Sequence, residues 1–383
     1  MSGRPPDGTA LLCLLVFCNT VCIGTFSPLL PEIGRTQALA DWQLGILAGA
    51  FGFARMIADV PAGALAGPRL GATLVFSPVI LLAGLVLLST AGPFPVLVLG
   101  RILTGIGHTF AMVGGLTAVL QDDRGPSRSV RLNLFEFAGM LGVMGGLAVV
   151  GVLPTGWGWP VSLLLASTPA LVSLVLGPSL RRRFPDRGDR AVPPPAAAHS
   201  RSPSATAPIV WLMFGAGAVM SLAWSAVSQF VLPLRGTREF GLDRGGVSML
   251  LALAQMADLL ALLPVGWLAD RMGRVPVLGA VLVLLGLGTL GTAGGSLGLF
   301  IVGCALFGLG MAGWMLPLGV IREHTDLGTL AWRTGLYRVG LDATSFLGPL
   351  ICGFLGEAHT GMFIALVGLA TVAAGARLLW RAV

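Results

Sequence analysis

Pro264-Val-Gly-Trp-Leu-Ala-Asp-Arg-Met-Gly-Arg274 closes an apolar run that begins near Gly246. A second stretch, Pro61-Ala-Gly-Ala-Leu-Ala-Gly-Pro-Arg-Leu-Gly71, closes a similar run that begins near Trp42. The two prolines stand 203 residues apart in a chain of 383, which reads as two homologous halves. Each run holds about 20 to 25 residues, enough at about 1.5 Å per residue to cross the roughly 30 Å apolar core of a bilayer as a helix.

Working outward from these two runs, the same pattern fills the chain. Hydrophobic residues make up 55% and charged ones 11%, with a mean hydropathy of +0.87, where soluble domains carry about 25% charged residues. That excludes a soluble enzyme and predicts an all-α integral membrane protein. Six spans are expected from Thr9 to Leu30, Trp42 to Ala66, Gly71 to Ala91, Phe94 to Leu120, Leu132 to Leu153 and Trp159 to Leu180. Six more are expected from Ile209 to Leu234, Gly246 to Ala269, Pro276 to Ala293, Leu297 to Val320, Gly335 to Gly356 and Thr360 to Trp380. The Arg-, Pro-, Ser- and Ala-rich stretch between them builds neither a core nor a span. The expected organisation is therefore twelve helices in two pseudo-symmetric bundles, 1–180 and 209–383, joined by a flexible linker, 181–208.

All 24 basic residues are Arg, and the formal net charge is +7. They are strung between apolar runs instead of gathered on one solvated face, so nucleic acid is not an expected partner. Eighteen of them lie at the termini, in the linker and in the even-to-odd connectors, while Arg35, Arg235, Arg238 and Arg244 mark the opposite side. Basic connectors stay in the cytoplasm, which predicts a multi-pass protein of the plasma or inner membrane with both termini inside. The first run continues to Leu30 and is read as a span, not as a cleaved signal. Cys13, Cys18, Cys22, Cys304 and Cys352 sit in apolar segments without a Cys-x-x-Cys spacing, so neither a metal nor a cofactor is expected.

Gly266-Trp-Leu-Ala-Asp-Arg-Met-Gly-Arg274 resembles the G-x-L-a-D-R-x-G-R signature of the major facilitator superfamily, at the connector between spans 8 and 9 where that family repeats it. The resemblance implies a cytoplasmic gate in which Asp270, Arg271 and Arg274 form ion pairs that break as the halves rock apart. The first-half copy has decayed, with Gly67 where the family carries Asp and Pro68 where it carries Arg. Leu97-Val-Leu-Gly-Arg101-Ile-Leu-Thr-Gly105-Ile-Gly107 resembles a pattern of proton-coupled members. Gly139-Met-Leu-Gly142-Val-Met-Gly145-Gly146 and Gly348-Pro349 resemble in part the Gly/Pro element of the drug/proton antiporter branch, although span 5 lacks its Pro. Tyr337 and Asp342 in span 11 are similar to an element of vesicular amine carriers and their bacterial relatives.

A charge at bilayer depth costs at least about 2.5 to 3.5 kcal/mol on insertion scales, so each is a functional candidate. Arg55 and Asp59, four apart on one face of span 2, read either as a proton- or substrate-sensitive pair or as a static ion pair. Arg101 lies too deep in span 4 to be solvated without a cavity or partner, and suits a coupling role. Asp258, mid-way along span 8 with Gln255 a turn earlier and no basic residue within a turn, is the foremost proton carrier. His108 is a secondary proton-linked candidate, with a structural hydrogen bond as its other reading. The family's packing implies that Glu136 pairs with Arg271 or Arg274, and Asp342 with Arg338 or Arg69, as gate residues. Asn19, Trp224, Gln229 and Trp314 lie in spans 1, 7 and 10, which the resemblance places around the substrate cavity; packing is the other reading of the tryptophans.

No His-Glu-x-x-His or Gly-x-Ser-x-Gly pattern occurs, so catalysis is not expected. The predicted function is secondary active transport by alternating access, as proton-coupled efflux of a small solute. An apolar cavity with acidic groups suits an amphipathic cation, whereas Arg55 and Arg101 suit an anion equally well. Uncoupled or proton-symport uptake of a metabolite and a transport-inactive membrane sensor are the alternatives. The expected partners are the solute, protons and the lipid bilayer, and the expected state is a monomer.

Overall fold

The computed structural model describes residues 8–121, 128–186 and 208–382. Among the described residues every regular element is helical, since inside lipid a single helix satisfies its own backbone hydrogen bonds. Among the described residues, eleven helices are long and apolar enough to cross a membrane. They are α1 (Gly8–Thr36), α2 (Asp41–Ala66), α3 (Leu70–Ser89), α4 (Phe94–Gln121), α5 (Val130–Val152), α6 (Thr155–Arg183), α7 (Pro208–Arg238), α8 (Arg244–Met272), α9 (Arg274–Thr292) and α10 (Leu297–Glu323), followed by α11 (Leu327–Ala382).

The 56 residues of α11 are interrupted by non-helical Gly356, at φ 67° and ψ −178°. An unbroken helix of that length would measure about 84 Å, nearly three bilayer cores. The break divides α11 into arms 327–355 and 357–382, at the residue where the sequence reading ends its eleventh span.

The described residues group into two compact units, 8–37 with 53–186 and 38–52 with 208–382. The first part of α2 thus belongs to the second unit, which the sequence boundaries do not anticipate. Its glycines explain the assignment: a Cβ on Gly45 would stand 2.6 Å from the Pro349 carbonyl oxygen, and one on Gly49 2.7 Å from that of Phe346. At the other boundary α6 runs on to Arg183, and Phe184 is still buried in the core, so the predicted linker begins later than residue 181. Residues 187–207, the rest of that linker, lie outside the described residues.

Within each unit one helix pair meets backbone to backbone at equivalent positions. In the first, a Cβ on Gly107 of α4 would lie 2.5 Å from the Leu81 amide nitrogen of α3, and one on Gly100 2.9 Å from the Gly84 carbonyl oxygen. In the second, Gly310 and Gly303 of α10 approach Leu285 and Gly291 of α9 in the same manner, at 2.3 Å and 2.6 Å. Gly100 and Gly303 are 203 residues apart, as are Gly107 and Gly310, so the offset read from the prolines recurs in the packing. Some hydroxyls inside the spans are satisfied locally: Thr73, Thr109 and Thr289 each donate to the carbonyl oxygen four residues back.

Candidate functional site

In the first unit the helices α1 and α4 are antiparallel, because Leu12 and Leu15 near the start of α1 share a buried cluster with Ala118 and Val119 near the end of α4. Arg101 of α4 is 2% exposed, and its guanidinium carbon lies 3.7 Å from the centroid of the Phe26 ring of α1. A desolvated cation over an aromatic face is worth about 2 kcal/mol, which helps to hold a charge at that depth. Seven residues on along α4 and seven back along α1 stand His108 and Asn19. On antiparallel helices these two are level, about 10 Å from the Arg101 contact. Asn19 is completely buried, and neither its Oδ1 nor its Nδ2 has a hydrogen-bond partner among the described residues. Arg55 and Asp59 are half-buried one turn apart on α2, and Glu136 is exposed on α5.

In the second unit Asp258 is half-buried at the midpoint of α8, Arg244–Met272, where Gln255 Nε2 donates to its Oδ2 at 3.3 Å. A Cβ on Gly308 of α10 would fall 2.0 Å from the Ala254 carbonyl oxygen, so α8 and α10 touch one turn from Asp258. Trp314 is half-buried in a non-helical turn at 312–315 that interrupts α10. Trp224 is half-buried on α7, and Gln229 is buried within a π-helical turn, Val227–Val231. Such turns carry one residue more than the α-helix and are frequent at functional sites.

At the Arg-rich end of α8 the signature residues find partners inside their own unit. Arg274 Nη1 pairs with Glu323 Oε1 at 2.7 Å, and the Arg271 guanidinium carbon stacks 4.0 Å from the Trp267 ring centroid. Asp270 is exposed. Glu136, which the family resemblance pairs with these arginines, stands on α5 of the first unit. On the first arm of α11, Arg338 is half-buried and Asp342, one turn later, is 2% exposed.

A charged cluster that sequence reasoning missed lies at the far end of the second unit. Arg235 forms an ion pair with Glu239 one turn on and donates to the Thr292 carbonyl oxygen, which caps the end of α9. Arg238 Nη2 pairs with Asp41 Oδ1 at 2.7 Å, and its Nη1 lies 3.8 Å from Glu357. With Phe230, Leu234 and Thr360 these charges line a cavity of about 180 Å³. The Arg235 and Glu239 spacing is visible in the sequence. The convergence of Arg238 with Asp41, 197 residues away, is not.

The family model described as Major Facilitator Superfamily matches residues 12–236 and, a second time, 209–383. Monocarboxylate transporter 11 of Mus musculus is 30% identical over 227 residues, covering 55% of this chain and 48% of that protein. Polyol transporter 5 of Arabidopsis thaliana is 30% identical over 187 residues, covering 45% of this chain and 34% of its own length. The chain thus spans about half or less of the curated relatives it matches. Among solved structures, a peptide transporter POT in complex with sulfate superposes with a TM-score of 0.80 at 15% identity, covering 99% of this chain and 95% of that one. The nucleoside transporter NupG superposes at 0.73 with 12% identity over 98% of both chains. At these identities the structures speak for the shared fold.

Proposed function

The chain belongs to the Major Facilitator Superfamily, and from that premise we propose that it is a secondary transporter that exports a small solute by alternating access in exchange for protons. The observation that carries the reading is Asp258. It stands at the midpoint of a membrane-length helix, and its side-chain contact among the described residues is the neutral amide of Gln255. A carboxylate at that depth is costly unless it binds a proton or a cation. Loading one and releasing the other on opposite sides of the membrane is the chemistry of an antiporter.

In this reading Asp258 carries the proton, and Arg101, Asp59, Arg55 and His108 respond to it. Asn19, Trp224, Gln229 and Trp314 contact the solute, while Asp270, Arg271, Arg274, Glu136, Arg338 and Asp342 govern the cytoplasmic gate. The partial likeness to the drug/proton antiporter branch supports export and an amphipathic cationic solute.

The test uses inverted membrane vesicles energised so that their interior is acidic, to which lipophilic cations, organic anions, sugars and amino acids are added in turn. A compound that collapses the pH gradient with the wild-type chain, and not with Asp258→Asn, is the expected result. A collapse that survives Asp258→Asn removes that residue from the coupling step.

A second reading rests on Arg101, a fully buried cation, and on relatives named as monocarboxylate and polyol transporters. It is uptake of a small anion or polyol without proton exchange. Accumulation of a labelled monocarboxylate that persists after the pH gradient is dissipated favours it over export.

A further inference from the structure

The connector that joins α2 to α3 carries the decayed copy of the signature, with Gly67 in place of the acid. Its far end starts α3 at a residue poorly suited to the task. Arg69 occupies the N-cap of Leu70–Ser89 and makes no side-chain capping bond. A helix start leaves its first amide hydrogens without partners and repels positive charge, so a cation there satisfies neither demand.

The missing acceptor comes from 114 residues away. Asp186 Oδ1 accepts from the Ala72 backbone amide at 2.9 Å, the bond that an N-cap side chain normally makes. The local sequence explains how Asp186 arrives there. Pro185 disfavours the helical conformation at Phe184, which leaves the helix at φ −124° and ψ 72°. The Phe184 ring is 6% exposed and packs into the cluster that holds Ala66, Leu70 and Leu74, on both sides of the connector. The chain then crosses directly over Gly71, where a Cβ would stand 2.6 Å from the Phe184 carbonyl oxygen and 3.3 Å from Asp186 Oδ1. Arg181 Nη2, 3.8 Å from Asp186 Oδ2, ties the carboxylate back to the end of α6.

The second unit pins its corresponding connector by different means. Arg274 stands 203 residues after Gly71 and is held by Glu323 from the end of α10. We propose that Phe184-Pro185-Asp186 is a strap that fastens the end of α6 to the connector between α2 and α3 and makes these three helix ends of the first unit move as one body. The strap is a positioning device, independent of which solute is carried, and the glycine at 71 is the opening through which it passes.

Hydrogen–deuterium exchange of the full chain in lipid nanodiscs tests the strap without a substrate. Asp186→Ala is expected to speed exchange over residues 70–74 by about 2- to 30-fold, the measured range for loss of a helix N-cap, and to loosen 176–184 at the end of α6. Adding Arg69→Asn to that variant supplies a local cap, so protection over 70–74 should return while 176–184 stays fast. Gly71→Ala keeps Asp186 but blocks its path and should loosen both segments. If Asp186→Ala leaves both segments protected, the strap does not exist in the membrane. If Arg69→Asn restores both, Asp186 is a helix cap and fastens nothing. Should Asp186→Ala not yield folded protein, Asp186→Asn with and without Arg69→Asn decides the same question at smaller amplitude.

Discussion

Replacing Gly107 by Ala probes a backbone-to-backbone contact of the first unit. The added Cβ would stand 2.5 Å from the Leu81 amide nitrogen and 2.8 Å from both the Leu81 Cα and the Ser77 carbonyl oxygen. These obstacles are backbone atoms and cannot rotate aside, so α3 must withdraw by about 1 Å, and dispersion contacts along the seam lose a quarter to a half of their depth. Overpacking of this kind costs about 3 kcal/mol at its upper end, and the better helix propensity of Ala returns about 1 kcal/mol, leaving about 2 kcal/mol of destabilisation. At about 2 to 4 °C per kcal/mol, the midpoint of thermal unfolding should fall by about 4 to 8 °C. Gly310→Ala meets the Leu285 amide nitrogen at 2.3 Å and should fall by a similar amount. The two sites lie in different units and share no partner, so the double variant should show the sum of the two losses. Gly63→Ala is the control, since a Cβ there meets nothing within 4 Å. Tryptophan fluorescence of the purified protein on heating reads all four. If Gly107→Ala and Gly310→Ala melt with or above Gly63→Ala, the helices do not approach backbone to backbone and the repeat of the contact at an offset of 203 is accidental.

Three further outcomes are expected. Tyr337→Phe removes a hydroxyl that is buried without a hydrogen-bond partner among the described residues; stability should be unchanged or raised by about 1 kcal/mol, and a loss above that would reveal a partner. Arg101→Lys and Phe26→Leu should be coupled by about 0.5 to 2 kcal/mol in a double-mutant cycle of unfolding free energies, and additivity would mean that the ring does not hold the guanidinium. Arg238→Gln and Asp41→Asn should each cost no more than about 1 kcal/mol and show a coupling that weakens as salt is raised; a salt-independent coupling would place the pair in a drier setting than its partial exposure implies.

The span pattern was legible because lipid removes the alternatives: an apolar run of span length has to be a helix. The span read from Trp42 to Ala66 is Asp41–Ala66 in the structure, and that read from Phe94 to Leu120 is Phe94–Gln121. Interruptions inside spans were not legible, because neither the π-turn at Val227–Val231 nor the turn at 312–315 changes the hydropathy that marks a span. Asn19, Arg101, His108 and Asp258 stood out as polar residues at depth, which is a local property. What touches them is not local, and Phe26 gave no sign of lying under Arg101. Contacts made between distant segments, such as Asp186 with Ala72 or Arg238 with Asp41, carry no periodic signature and appear only once the chain is folded.

The surplus residue in α7 sets its two ends out of phase. Gly217, Ser221 and Ser225, spaced by four, all face the first arm of α11, with Ser221 Oγ donating to the Leu341 carbonyl oxygen and Ser225 Oγ to that of Thr344. Past Val227–Val231 that row is turned by about 100°, the angle one residue contributes to a helix. Arg235 and Arg238 are thereby aimed at the end of α9 and at Asp41, partners that an uninterrupted α7 would not address. The turn works as a vernier: taking out one residue anywhere within it would re-index the far end of the helix while leaving the serine row undisturbed, so the two ends of one span are separately tunable parts.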